Sequence, residues 1–228
     1  MTTTTIPVRP LAALKLGTLA LLGLALLLLS SCRWAGVKGD GNVKTEDRPI
    51  ADFTRLEADG AFTVNWTTGP AKLSITTDQN LMEYIRTDQS GDRLKIDWVK
   101  PLRGTDGIKI NLASPRLARV NINGAVRLVG ANLSGPELYL ECNGASRVAL
   151  QGNVNAVSAE MNGASRLDAE SLSTRAMELS ISGAGRAEVN ASDVLKVEIS
   201  GAGKVIYTGS PQVSKEISGA GSVKRRGE

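Results

Sequence analysis

Histidine is missing from all 228 residues. Its absence removes the commonest protein metal ligand and a frequent general base. Aromatics are sparse, with three Trp, three Tyr and two Phe. Trp34, Trp66 and Trp98 therefore read as core or cap residues, not as a stacking platform. The periodic Asp of the Ca²⁺-binding nonapeptide repeat is absent, and Gly183-Ala184-Gly185 lacks the strand-to-helix setting of a nucleotide loop. No cofactor and no metal is expected. Charge of one sign is also scarce. The formal net charge of +4 falls to +2 once Arg9 and Lys15 leave with the leader described next, which gives no footprint for nucleic acid.

The first 31 residues read as a lipoprotein signal peptide. Arg9 and Lys15 are its only charges, and Leu16 to Leu29 is nearly continuous Leu, Ala and Gly. Leu29-Ser30-Ser31-Cys32 resembles a bacterial lipobox, in which the thiol of Cys32 takes the lipid. The competing reading is an uncleaved span, since Leu11 to Leu29 is just long enough. No cationic cluster follows to stop transfer; Arg33 stands alone. Residues 32–42 then form the lipidated cysteine and a polar tether, and Arg33-Trp34 lacks the Asp that retains lipoproteins at the inner membrane in enterobacteria. The expected location is the bacterial outer membrane or cell envelope, with the lipid anchor as the membrane contact. With Cys32 used, Cys142 has no intramolecular partner, so stability must come from packing and backbone hydrogen bonds. Cys142 falls at an apolar repeat position and reads as a buried small hydrophobe.

Residues 43–228 read as a single domain built on a repeat. The triplet Asn/Ser-Gly-Ala recurs with its glycine at 124, 144, 163, 183, 201 and 219, spaced by 18 to 20 residues. A distant copy is Asp59-Gly60-Ala61. Two places before each glycine stand Ile122, Cys142, Met161, Ile181, Ile199 and Ile217; four places after stand Leu128, Val148, Leu167, Ala187, Val205 and Val223. Immediately before it runs a polar column, Asn123, Asn143, Asn162, Ser182, Ser200, Ser218. Apolar and polar positions alternate, which is the period of a strand and contradicts a helix. At about 3.3 Å per residue, such a unit suits one turn of a small parallel β-solenoid, three-sided, with turns about 4.8 Å apart. Glycine supplies positive φ at the corner, and alanine is expected to fill a corner too narrow for more. Stacked Asn should form amide ladders, with Ser a weaker version. An antiparallel sandwich is the alternative architecture, but it would not need like residues at matching corners.

The region before the regular repeats is expected to be an irregular N-terminal cap with atypical first turns. Leu56, Val64 and Trp66 fit the register around Gly60. Asp78 to Ile85 looks like a capped helical turn, and 94–98 and 108–112 alternate as strands. The charged end, Lys224-Arg225-Arg226-Gly227-Glu228, would discourage end-to-end stacking.

The segment Phe53-x-x-Leu56 … Gly60-Ala61-Phe62-x-Val64, followed by Ile-Asn-Gly-Ala and Ile-Ser-Gly-Ala-Gly repeats, is similar to the "Putative auto-transporter adhesin, head GIN domain" family of bacterial envelope proteins. The similarity runs from Val43 to Lys224. It implies an all-β, β-helix-like fold on an exported protein, and adhesion by name, but brings no catalytic or binding residues to transfer.

One candidate site emerges from the repeat. Three places after the glycines come Arg127, Arg147, Arg166, Arg186 and Lys204; three places before come Asn121, Glu141, Glu160, Ser180, Glu198 and Glu216. Stacked like charges repel. Either the two columns compensate across the corner as a solvated face, or the cations form a linear stripe for acidic polysaccharide or lipopolysaccharide. An enzyme of β-helical type would need paired carboxylates or a Ca²⁺ cluster in a loop-built cleft. Asp168, Glu170, Glu188 and Asp193 lie on uniform turns with no long insertion, so a non-catalytic binding role is expected. A third reading is an envelope scaffold or sensor docking another envelope protein.

Overall fold

A computed structural model describes residues 36–227. The regular part consists of four long bent strands, Arg127–Gly144, Arg147–Gly163, Arg166–Gly183 and Arg186–Gly201, each parallel to the next. Register is the predicted one: Gly124, Gly144, Gly163, Gly183, Gly201 and Gly219 stand directly above one another. Each coil pairs with the next in three runs, 127–130, 133–135 and 137–144 in the first case, with a register shift between the first two. The result is a three-sided parallel β-solenoid. Its inward columns, such as Leu140, Ala159, Leu179 and Val197, or Cys142, Met161, Ile181 and Ile199, are almost completely buried. Burying each Leu, Ile, Val or Met contributes about 1.5–3 kcal/mol, and among the described residues no disulfide supplements it. Cys142 packs as a hydrophobe, and burial pushes its thiol up to about 11.

The corners explain why glycine is obligatory there. Gly144, Gly163, Gly183 and Gly201 hold φ between +101° and +125°. A Cβ on any of them would lie 2.6–2.7 Å from the carbonyl oxygen of the glycine one coil earlier. That oxygen accepts the N–H of the following alanine, as in Ala164 N to Gly144 O at 2.9 Å, so the backbone ladder continues through the bend. The alanines themselves are exposed, contrary to expectation. The buried corner residue is the next one, Val126, Ser146, Ser165, Gly185 or Gly203. At Gly185 and Gly203 a Cβ would meet Ile181 and Ile199 Cγ2 at 2.8 and 2.9 Å, whereas the corner beside Ile122 accommodates Val126.

The polar column before the glycine carries the expected amide ladder. Asn162 Nδ2 donates to Asn143 Oδ1 at 2.9 Å, Asn143 to Asn123 at 3.0 Å, and Asn123 to Asp59 at 2.5 Å. Among the described residues no such side-chain bond continues through Ser182, Ser200 and Ser218, although at the buried corner position Ser146 Oγ does reach Ser165 Oγ one rung away at 3.1 Å.

Spatial order departs from chain order at the N-terminal end. Arg55–Gly60 lies beside Arg119–Gly124, and Thr63–Thr68 beside the start of Arg127–Gly144. On their other side lie Arg93–Trp98 and Lys109–Ser114. The coil made by 93–114 therefore sits below the coil made by 55–68, and the chain steps over the latter at 115–118. Antiparallel strands close this end: Ile85–Ser90 on Arg93–Trp98, and Val43–Arg48 on Lys72–Asp78, itself paired with Lys109–Ser114. Trp66 is buried, and Trp98 packs edge-on against Phe62 with ring centroids 5.4 Å apart; Trp34 lies outside the described residues.

Residues Gln79–Tyr84 form a 3₁₀ helix, but Asp78 does not cap it through its side chain. The buried Asp78 carboxylate accepts from Gly41 N, Thr105 N and Thr105 Oγ1, each at 2.7 Å. It ties the incoming chain to the loop before Lys109–Ser114. The hydroxyl and N–H of Thr105 hold its carboxyl below the usual carboxylate range.

At the other end the last rungs, Gln212–Gly219 and Ser222–Arg225, have no coil beyond them among the described residues. Two inward columns stop there on cations: Lys215 is in register with Val197, and Arg225 with Tyr207 and Val189. Inward-pointing charge on a terminal strand blunts an otherwise templating edge.

Candidate functional site

Strand alternation turns the third residue after each corner glycine outward. Register stacks Arg127, Arg147, Arg166, Arg186 and Lys204 on successive rungs, as the sequence implied. It then adds a cation the sequence reading missed: beyond Thr63, which pairs with Arg127, stands Lys109. The Lys109-Ile110 pair repeats the Arg127-Leu128 pattern, but its place in the column depends on the inverted order of the first coils.

The column is not electrostatically uniform. Two places further along each strand lies a second outward column, Val129, Ala149, Asp168 and Glu188. Arg166 and Arg186 both donate to Glu188 Oε1, at 3.2 and 3.0 Å. Arg226, from the C-terminal strand end, holds Glu188 Oε2 and, at 2.8 Å, Glu170. The guanidiniums of Arg186 and Arg226 keep the Glu188 carboxyl below the usual range. Arg127 and Arg147, in contrast, face Val129 and Ala149 and make no ion pair among the described residues, and neither does Lys204. A shallow groove of about 260 Å³ runs along this stretch between Arg127, Arg147, Ala149, Arg166 and Asp168.

Asn121, Glu141, Glu160, Ser180, Glu198 and Glu216 stack on the neighbouring face. Compensation across the corner, one of the two expectations, does not occur: among the described residues no ion pair joins the columns. Local partners on the same face serve instead. Glu141 accepts from Asn143 at 2.9 Å, and Lys196 bridges Glu178 and Glu198 at 2.8 and 2.9 Å. Strand geometry is the reason, since same-face neighbours sit one rung or two residues apart while the corner turns the columns away from each other.

A larger groove of about 840 Å³ crosses the acidic column's face. Ala118, Ala156 and Ala176 line it, Val194 is 46% exposed within it, and the Arg119 guanidinium lies 4.1 Å from the Tyr139 ring centroid. The carboxylates weighed for catalysis are largely tied up: Glu170 and Glu188 by Arg226, Asp193 by Arg175 at 3.0 Å. Among the described residues no three Asp, Glu or Cys gather in a metal-binding group.

Fold and columns together define a parallel β-solenoid that presents repeating charged faces. Within that class the chain belongs to the "Putative auto-transporter adhesin, head GIN domain" family, which matches residues 52–211. An adhesion-like, cell-surface or envelope protein is the class this family describes. No curated protein matches the sequence. Among solved structures it is similar to a "putative adhesin" from Bacteroides fragilis (20% identity, 83% of this chain and 100% of that one, TM-score 0.70). It is also similar to a "putative adhesin" and a "putative lipid binding protein" from Parabacteroides distasonis. These share 21% and 22% identity, each over 83% of this chain and 99% and 98% of theirs, both at TM-score 0.54. At such identities the likeness establishes the fold.

Proposed function

We propose that the chain is a lipid-anchored envelope protein with a non-catalytic, adhesion-like binding role, and that its basic column takes acidic glycans. The observation carrying this is the column itself: Arg127, Arg147, Arg166, Arg186 and Lys204 on successive rungs of a rigid frame, left without neutralisation from the acidic face. Like charges held at rung spacing cost stability, and a polyanion lying along the solenoid axis relieves that repulsion. Support for the anchor is the leader and Cys32, which lie outside the described residues. The first described strand pair, Val37–Lys38 with Leu102–Arg103, follows within a few residues, so the tether is short and the solenoid is held near the bilayer. Two or three acyl chains suffice for stable attachment.

Replacing Arg147, Arg166 and Arg186 together with Gln tests the stripe. Binding to polyanionic glycans should fall and lose its salt dependence; unchanged binding by a folded variant sinks the reading. For the anchor, cells fed a labelled fatty acid should label the wild type and not Cys32→Ser.

A further inference from the structure

The charged column carries its own picture of a bound carboxylate. On the rungs of Arg166 and Arg186, one oxygen of Glu188 accepts from both guanidiniums, at 3.2 and 3.0 Å, and the group is only 13% exposed. One carboxylate therefore bridges two successive rungs of cations. Register carries the Glu188 position back to Asp168, Ala149 and Val129. Asp168, one methylene shorter, makes no ion pair among the described residues, and Ala149 and Val129 carry no charge. The Arg127–Arg147 step thus has the same cations, in the same register, with no internal carboxylate between them. The groove of about 260 Å³ lies along that step.

We infer that the Arg127–Arg147 step is a subsite for the carboxylate of a uronic acid residue in an acidic polysaccharide, bound as Glu188 is bound further along the column. This rests on the acidic-glycan reading above and narrows it. Guanidinium pairs suit a planar carboxylate, because charge-assisted bonds from two donors fix its orientation. Half-buried Val129 and Ala149 supply the small apolar patch that the C–H face of a sugar ring covers, as binding sites combine apolar lining with few placed polar groups. The rung spacing of about 4.8 Å is comparable to the length of one linked sugar. A chain running along the axis thus keeps its next sugars beside Thr63 and Lys109. Asp168 marks the other limit, repelling a second carboxylate at Arg166.

The subsite can be closed without touching an arginine. In Ala149→Glu the new carboxylate takes the place that Glu188 takes beside Arg186, while Ala149→Gln adds the same bulk without charge. The probe is an oligogalacturonate, with its methyl ester and a phosphorylated neutral oligosaccharide as comparison arms, measured by calorimetry on the full chain purified in detergent. Wild type should bind the free acid and not the ester. Ala149→Glu should weaken it about tenfold or more, equivalent to roughly 1.4 kcal/mol, and Ala149→Gln should stay near wild type. Glu188→Gln, an independent change at the other end of the column, should strengthen binding by freeing Arg166 and Arg186. Equal binding of the ester or the phosphorylated sugar, or no loss in folded Ala149→Glu, overturns the subsite. If the triple Gln variant loses polyanion binding while Ala149→Glu does not, the stripe stands and the subsite falls. If wild type binds none of the probes, the acidic-glycan reading itself fails.

Discussion

Substituting Gly163 with alanine should be among the most damaging single-methyl changes available in this domain. Two separate costs arise at that corner. The backbone φ of +101° lies where L-residues with a Cβ pay about 1–3 kcal/mol. The new Cβ would also stand 2.6 Å from the Gly144 carbonyl oxygen, well inside contact distance. That oxygen accepts from Ala164 N at 2.9 Å, so relieving the clash strains a ladder bond that contributes about 1 kcal/mol. The sum is about 3 kcal/mol or more. Gly91 provides the comparison, because its φ is +58° and a Cβ there would have nothing within 4 Å of it. Gly91→Ala should cost only the left-handed conformation, about 1 kcal/mol. Urea unfolding followed by far-ultraviolet circular dichroism measures both, with the denaturant slope checked for constancy. Equal losses in the two variants would refute the claim that stacking geometry, beyond φ, demands glycine at the corners.

The end of the solenoid and its N-terminal clamp give two further expectations. Lys215→Leu combined with Arg225→Leu extends two inward columns to the open edge, and should turn a dispersed protein into end-on associated species by light scattering; a monodisperse double variant would show that inward charge does not protect that edge. Asp78, whose carboxyl is held low by Thr105 and Gly41, stabilises the fold above its unfolded value near 3.9. That contribution is lost as pH falls below about 4 through its folded value. Asp78→Ala should therefore be less stable than wild type at neutral pH, with the difference shrinking at low pH; a pH-independent difference would mean the carboxylate's charge is immaterial.

Much of this architecture was open to reading residue by residue. A corner glycine with alternating apolar neighbours at fixed offsets determines the rung, because strand alternation is a local property and parallel stacking copies it from coil to coil. Cys142 and Met161 could be placed in the core, and the five cations in one column, from offsets alone. Other features depended on contacts between residues far apart in the chain. Sequence offered no sign that the coil of 93–114 lies beneath that of 55–68, and so Lys109 could not be placed at the foot of the column. Asp78 read as a helix cap because its local motif fits one; its actual partners, Gly41 and Thr105, approach only when the cap closes. The corner alanines looked buried because they are small, yet the bend turns them outward and the following residue in.

The charged columns show the same division most plainly. Which residues stack was determined by the sequence, since a repeat of 18 to 20 residues returns each position to the same face. Which of them are neutralised was decided by tertiary structure. Glu188 reaches two arginines because adjacent rungs lie side by side, and Arg226 joins them only because the last strand adds a further parallel rung to the stack. Arg127 and Arg147 make no ion pair among the described residues because Val129 and Ala149 occupy, on their own rungs, the place that Glu188 occupies beside Arg186.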